Sequence, residues 1–298
     1  LFGSRVHTDN KKTIAEMGGI AVVLDALRKN AQDLEVQREG LSALWILAAN
    51  DDNRRTIAKK SGIRVVLDAM RTHGQDSEVQ QNGLSALWSL AANADNMRII
   101  AKTGGIAVVL DALRTHAQDL EVQRKGLGAL WSLAANADNQ RTIADRDGIA
   151  VVLDALRRHA QDSVVQRNGL SALWNLALNA GNQRTIAEIG GFAVVLDALR
   201  RHAQDVEVQR DGLAALAHFA HFAHLAHLGH LNADTQRTIA DAGGIAVVLI
   251  AVVLDALRRH AQDSVVQRVG LGALLNLAEN DDNKRIIAKK GGIRVVLD

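Results

Sequence analysis

The stretch "GLSALWNLALNAGNQRTIAEIGG" at residues 169–191 decides how the chain is organised, because close copies of it recur at a fixed spacing. Successive tryptophans stand 43 residues apart, and so do most aspartates of the phrase "VVLDA" and its near copies. The tryptophans are Trp45, Trp88, Trp131 and Trp174, and the aspartates are Asp25, Asp68, Asp111, Asp154, Asp197, Asp255 and Asp298. Self-similarity at such a period is typical of a solenoid of small units that bury their apolar faces only by stacking.

Each copy predicts three helices. The first runs through segments such as "NQRTIAEIGG" (182–191), where an asparagine or an aspartate caps the start and the double glycine ends the helix. The second, "IAVVLDALRRHAQ" (149–161), places apolar residues at helical spacing and cations in its last turn. The third opens at an aspartate such as Asp162 and is the longest, with Val, Leu and Trp at steps of three and four residues.

A short, a middle and a long helix in each 43-residue unit resemble the armadillo repeat, and residues 169–191 are especially similar to it. The resemblance covers the whole chain. It implies an all-α, right-handed α-solenoid of three-helix repeats whose third helices line a concave groove. We expect one solenoid domain over residues 1–298, with six full repeats and partial repeats at the ends. The predicted repeats are 10–52, 53–95, 96–138, 139–181, 182–234 (with a His-rich insertion at 217–231) and 235–282, followed by a partial repeat at 283–298.

Composition narrows the function classes. The 35 Lys and Arg nearly balance the 33 Asp and Glu, which gives no reason to expect a nucleic-acid partner. The absence of cysteine excludes disulfides and thiolate metal sites, and favours the cytoplasm or the nucleus. The longest apolar run, residues 245–254, is half of the roughly 20 residues that a membrane span needs.

No enzyme motif is present in the sequence, and every candidate acid or base recurs at the repeat period, as structural residues do. We therefore predict a non-catalytic protein-protein interaction scaffold without a cofactor, which binds a partner segment along its groove as part of a larger assembly. The alternative is a structural spacer or assembly subunit whose groove binds no peptide.

The resemblance implies that an asparagine of the third helix holds the backbone of the partner. That position is occupied by Ile46, Ser89, Ser132, Asn175, His218 and Asn276, so a regular asparagine ladder is not expected. A more regular row lies eight residues earlier, at Arg38, Gln81, Arg124, Arg167, Arg210 and Arg268. Five arginines along one flank favour an acidic or phosphorylated partner segment. The alternative is a solvated polar row that pairs with neighbouring Asp or Glu.

The tract "AHFAHFAHLAHLGHL" (217–231) places a histidine at every third residue. These histidines, which are the candidate metal ligands, are His218, His221, His224, His227 and His230. A three-residue step winds the row around an α-helix, so all five cannot converge on one ion. We interpret the tract as an elongated packing helix, with a metal site or an acid-induced membrane contact as alternatives. Together with the doubled "IAVVL" at 245–254, it predicts a helical protrusion or kink between repeats 5 and 6.

Two further rows belong to the structure of the repeat. One histidine closes the second helix in five repeats, and we expect these side chains to be solvated: His73, His116, His159, His202 and His260. One glycine lies inside each third helix, where it costs roughly 1 kcal/mol relative to alanine and therefore predicts close helix approach. These glycines are Gly40, Gly83, Gly126, Gly169, Gly212 and Gly270.

Overall fold

The computed structural model describes residues 10–227, 242–279, 281–290 and 292, and within these residues the chain forms helices and no strand. The helices, in chain order, are α1 (10–16), α2 (Gly19–Lys29), α3 (Leu34–Leu47), α4 (Asp51–Lys59), α5 (Gly62–Thr72), α6 (Ser77–Ala91), α7 (Ala94–Lys102), α8 (Gly105–Thr115), α9 (Leu120–Leu133), α10 (Ala137–Ala144), α11 (Gly148–Arg158), α12 (Ser163–Leu176), α13 (Ala180–Glu188), α14 (Gly191–Arg201), α15 (Val206–His227), α16 (Ala242–Arg259), α17 (Ser264–Leu277) and α18 (Asp281–Lys289).

The chain divides into two compact units, Leu1–Arg146 and Asp147–Asp298. In the first unit, the third helices of repeats 1 to 3 (α3, α6 and α9) pack side by side, and each also packs on the second helix of its own repeat (α2, α5 and α8). In the second unit, α12, α15 and α17 pack in the same way, with α11, α14 and α16 behind them. Each unit is therefore an all-α solenoid in which like helices stack on like, as the sequence predicted.

The helix starts follow from the polar residues that precede them. Each third helix begins after an aspartate whose carboxylate accepts hydrogen bonds from backbone amides of the first turn, as Asp76 does from Val79 at 2.9 Å. First helices begin after asparagines that cap in the same way, as Asn50 does for Asn53 at 3.0 Å. Because these caps recur at the repeat period, they fix the same helix boundaries in repeat after repeat.

The turn from the first to the second helix needs a left-handed residue. Gly104 provides it with φ +81°, whereas Ser61 and Asp147 adopt the same conformation with φ +59° and +57°. The sequence predicted this ending from the double glycine, and the structure confirms it. Close helix approach is confirmed as well, because a Cβ atom added at Gly126 would lie 2.6 Å from a methyl carbon of Leu113.

Side chains from the second helices connect successive repeats. The Arg28 guanidinium donates to the Lys60 carbonyl at 2.6 Å, and Arg71 donates to the Thr103 carbonyl at 3.0 Å. Each acceptor ends the first helix of the next repeat, where unpaired carbonyls and the helix dipole favour a cation. These hydrogen bonds connect each second helix to the first helix of the next repeat.

The histidines that close the second helices also connect repeats, so the expectation that they are solvated was wrong. The Nε2–H group of His116 donates to the Gly74 carbonyl at 2.8 Å, and His202 donates to the Ala160 carbonyl at 2.9 Å. Both acceptors lie in the turn between the second and third helices of the preceding repeat. His73 and His260 make the equivalent bonds, and the carbonyls of these turns explain why the rings face the preceding repeat.

We expect His116→Ala to lower the free energy of unfolding by about 1 kcal/mol, because the Gly74 carbonyl loses its protein donor. Urea denaturation followed by circular dichroism measures the change. Gln118 is exposed in the same turn, so Gln118→Ala is the matched control and should stay within about 0.5 kcal/mol of the wild type. Equal stability of the two variants would show that the histidine bond contributes nothing.

The insertions lengthen two helices of the second unit. Helix α15 has 22 residues whereas α12 has 14, and α16 has 18 residues whereas α14 has 11. The inserted residues up to His227 and after Asp241 therefore continue regular helices. The predicted protrusion or kink between repeats 5 and 6 involves residues 228–241, which lie outside the described residues.

Candidate protein-interaction surface

The outward side of the third helices carries a row of tryptophans, which we call the third-helix surface of each unit. On α3, Leu44 and Leu47 are buried, whereas Trp45 and Ile46 between them are exposed. Trp45 is 41% exposed, and Trp88, Trp131 and Trp174 occupy the same position of α6, α9 and α12 and are half-buried. Because an apolar face turned to the core must leave the opposite face outward, every tryptophan of the chain comes to lie on this surface.

In the sequence, the tryptophans indicated only the repeat period, and they were not among the predicted groove residues. Their position directly after a core leucine was the available signal, since helical spacing then turns them partly away from the core. They are the main feature of the surface that sequence reasoning missed.

The indole of Trp88 is seated against the next repeat. A Cβ atom added at Gly128 would lie 2.8 Å from three atoms of the Trp88 ring system, so only glycine leaves room for the ring in this position. In the second unit, Trp174 instead donates its Nε1–H to Nε2 of His218 at 3.2 Å. The rings are thus held by neighbouring third helices while part of their area stays accessible.

The predicted arginine row is largely paired within the protein. Arg38 binds Asp76 of the next repeat with two nitrogens, at 3.2 Å from Nε to Oδ1 and 2.5 Å from Nη2 to Oδ2. Glu78 and Glu35 lie within 3.4 and 3.8 Å of the same guanidinium. A bidentate carboxylate contact of this kind is among the stronger polar interactions and fixes the guanidinium in place.

Other positions of the row are also engaged. Arg124 pairs with Glu121 at 2.5 Å, and Arg210 pairs with Glu207 and Asp211, both at 2.7 Å. Gln81 donates to both carboxylate oxygens of Asp119, at 3.4 Å. At these positions, the structure matches the alternative of a polar row that pairs with neighbouring acids.

Two arginines of the row differ from the rest. Arg167 is half-buried and Arg268 is exposed, and neither forms a hydrogen bond or ion pair within the part of the chain that the structure describes. Three residues before each of them, the position that holds glutamate in repeats 1, 2, 3 and 5 holds Val164 or Val265. These two guanidiniums are therefore the predicted site residues with charge left for a ligand.

The predicted serines and asparagines lie beside the tryptophan row. Ser89, Ser132, Asn175 and Asn276 are all half-buried and directly follow the tryptophan position or its equivalent, Leu275. The Asn276 amide donates to the Ala217 carbonyl of the preceding third helix at 2.7 Å. That side chain therefore supports the packing of α17 on α15, and only its Oδ1 remains as an acceptor for a partner.

The histidine tract is described only in part. His218 accepts the bond from Trp174, whereas the side chains of His221, His224 and His227, and the whole of His230, lie outside the described residues. Among the residues that the structure describes, no group of three or more potential ligands could hold a metal ion. Across the same residues, no helix is long and apolar enough to cross a bilayer.

The Arg38–Asp76 pair makes a testable contribution to pH dependence. The hydrogen bond from Arg38 lowers the pKa of the Asp76 carboxyl below its usual value, and backbone amides of α6 act in the same direction. A carboxyl with a lowered folded-state pKa stabilises the fold fully above its unfolded pKa, about 4, and this stabilisation is lost as pH falls through the folded value.

We therefore expect Asp76→Asn, which keeps a capping side chain but loses the charge, to be less stable than the wild type at pH 7. The difference should shrink as the pH falls below about 4, because the wild-type carboxyl becomes protonated through its lowered folded-state pKa. Urea midpoints at a series of pH values measure this. A difference that stays constant from pH 7 to pH 2 would contradict the role of the ion pair.

Two comparisons with known proteins define the class of the chain. A family model described as "Protein zer-1 homolog-like, C-terminal domain" matches residues 111–298, and one described as "LRRK2 ARM repeat" matches residues 3–170. Each covers more than half of the chain. The chain therefore belongs to the armadillo-repeat family, which confirms the resemblance seen in the sequence.

Solved structures agree with this assignment. A crystal structure of an engineered protein is similar with a TM-score of 0.71 and 26% identity, covering 88% of this chain and 97% of that one. A beta-catenin structure, from work on a phosphorylation switch that controls its interaction with cadherin, has a TM-score of 0.75 and 19% identity. That match covers 93% of this chain and 51% of the other, so the chain spans about half of its length and shares its fold. A comparison with curated protein sequences gave no match.

Proposed function

We propose that this armadillo-repeat chain is a protein-interaction scaffold that binds an extended segment of a partner polypeptide along its third-helix surfaces. The observation that carries the proposal is the tryptophan row, because all four tryptophans of the chain are partly accessible on that one side of the helices. Tryptophan is the residue type most enriched among the side chains that dominate binding energy.

The chemistry of the row suits a peptide. Each indole offers a large apolar face that loses little conformational entropy on binding, and the Nε1–H of an accessible ring can bond to a peptide carbonyl. Serines and asparagines directly beside the rings, such as Ser89 and Asn175, add polar groups suited to a peptide backbone. A repeated surface of this kind matches a repeated ligand, and an extended chain is the simplest one.

Acidic residues in the partner segment are the finer part of the proposal. Arg167 and Arg268 carry charge that no described residue neutralises, and charge-assisted bonds to carboxylates are stronger than neutral ones. The similar beta-catenin structure concerns an interaction with a protein partner, cadherin, that a phosphorylation switch controls. This likeness supports a protein ligand by analogy of fold.

Selection from a random peptide library displayed on phage tests the function without assuming a partner. We expect the immobilised chain to enrich related peptides that bind in solution with dissociation constants in the micromolar range or tighter. Isothermal titration calorimetry with unlabelled synthetic peptides measures the affinity. If no peptide is enriched over repeated rounds, the interaction proposal fails and the spacer alternative is favoured.

A further inference from the structure

We propose that Arg167 of repeat 4 and Arg268 of repeat 6 bind carboxylates of the partner, which take the place of a glutamate that other repeats supply themselves. We call these two arginines the acid-reading positions of the second unit. The inference rests on the proposed function and deepens it, because it names the two residues, Arg167 and Arg268, and the partner side chains that they bind. The occupant is a polypeptide segment with aspartate or glutamate residues.

The protein itself shows what this arginine position binds. In repeats 1, 3 and 5, a glutamate one helical turn before the arginine approaches the guanidinium, at 3.8 Å for Glu35 and Arg38, 2.5 Å for Glu121 and Arg124, and 2.7 Å for Glu207 and Arg210. Spacing of three residues on a helix brings such pairs together. The arginine position is thus built to hold a carboxylate on the outer side of the third helix.

Repeats 4 and 6 lack that carboxylate. Both begin their third helix with "SVVQR", so Val164 and Val265 stand where the other full repeats have glutamate. Val265 is 37% exposed, and Arg167 and Arg268 have no acidic partner among the described residues. The same exchange therefore removes a neutralising charge and leaves a small apolar contact beside an unpaired guanidinium in both repeats.

Acids of the neighbouring repeat do not fill the gap at Arg167. The Asp205 carboxylate, which is equivalent to the Asp76 that binds Arg38, accepts the amides of Glu207 and Val208 at 3.0 and 3.1 Å. The buried Asp211 carboxylate is bonded to Ser171 and to Arg210. Neither carboxylate forms an ion pair with Arg167 among the described residues, which leaves the Arg167 charge to a ligand.

A second feature sets the same two repeats apart. The asparagine position of the third helix is asparagine only in repeats 4 and 6, as Asn175 and Asn276. Each lies eight residues, or slightly more than two helical turns, after the unpaired arginine, about 80° around the same helix. An arginine without an acidic partner and an asparagine two turns later therefore occur together, and only in these repeats.

The test uses a fluorescein-labelled peptide of ten glutamates as the probe, with fluorescence anisotropy at about 50 mM salt. Val164→Glu with Val265→Glu supplies each repeat with its own carboxylate, and glutamate occupies this position in four other repeats, so the fold should be kept. We expect the dissociation constant to rise about tenfold in the double variant, or roughly threefold for each site.

Two matched controls isolate the effect. Val164→Gln with Val265→Gln has the same side-chain length without charge and should bind the probe as the wild type does. Gln75→Glu with Gln118→Glu adds the same net charge at exposed turn residues of the first unit and should change the affinity less than twofold, because neither side chain belongs to a third-helix surface.

The inference is overturned if the wild type does not bind the probe, if the Val164→Glu with Val265→Glu variant binds it as tightly as the wild type, or if the Gln75→Glu with Gln118→Glu variant weakens binding equally. The library selection described above is independent of these results. If the enriched peptides lack acidic residues and bind the Val164→Glu variant as tightly as the wild type, the scaffold function is supported. The same result contradicts the proposed acid-reading positions.

Discussion

Replacing Leu173 by alanine is expected to lower the free energy of unfolding by about 2–5 kcal/mol, the largest stability effect of the changes considered. Leu173 is completely buried on α12, which packs on α11 and on α15 of the next repeat. The substitution leaves a cavity in an interior that two repeats share. Urea denaturation, followed by circular dichroism at 222 nm, measures the loss.

Leu178→Ala is the matched control, because it removes the same atoms five residues later from a side chain that is 53% exposed. We expect its effect to stay within about 0.5 kcal/mol. Similar losses for the two variants would mean that the region around α12 is not the packed interior that the fold requires.

Replacing Trp45 and Trp88 together by alanine is expected to weaken binding of a peptide selected on the wild type by about thirtyfold or more. Loss of an interface anchor side chain commonly costs about 1 kcal/mol or more, which for two rings together is about thirtyfold, and both rings lie on the third-helix surface of the first unit. Calorimetric titration of the wild type and the variant with the same peptide measures the change.

Val22→Ala provides the comparison for this prediction. Val22 is 69% exposed on α2, a second helix of the same unit, so its removal takes away apolar surface outside the tryptophan row. We expect less than a twofold change in affinity. Trp45→Ala alone, at a ring already 41% exposed, should preserve the circular dichroism spectrum and still weaken binding about tenfold, which separates binding from folding.

The repeat architecture was predictable from the sequence because its signals are local. Capping aspartates such as Asp76, capping asparagines such as Asn50 and the glycine at position 104 act within one turn of the residues they affect. A period of 43 residues then repeats each signal, so that scattered substitutions in single copies do not hide it. Helix order and the stacking of like helices follow from these signals and from the need to bury apolar faces.

The candidate site was harder to predict, because pairing across repeats joins residues far apart in the chain. Arg38 and Asp76 are separated by 38 residues and meet only when α3 packs beside α6. The sequence therefore showed five equivalent arginines, whereas the structure leaves two of them unpaired among its described residues. The valines at positions 164 and 265 were a visible signal, but their meaning depends on the side-chain contacts of the other repeats.

The histidine bonds between repeats were missed for a similar reason. Helix-end position alone favours a solvated cation for His116, whereas the Gly74 carbonyl that binds its ring lies 42 residues earlier in the chain. Local rules describe the end of one helix correctly. They contain no information about which polar group of the preceding repeat faces that end.

Intrinsic fluorescence tests the central claim, that partners bind on the third-helix surfaces, most directly. The chain has four tryptophans and no tyrosine, and all four tryptophans lie on these surfaces, so the emission reports on that side of the helices alone. An unlabelled selected peptide without aromatic residues should shift or quench the tryptophan emission with the same dissociation constant that calorimetry gives. Saturable binding by calorimetry with no change in the emission would place the partner elsewhere and contradict the account.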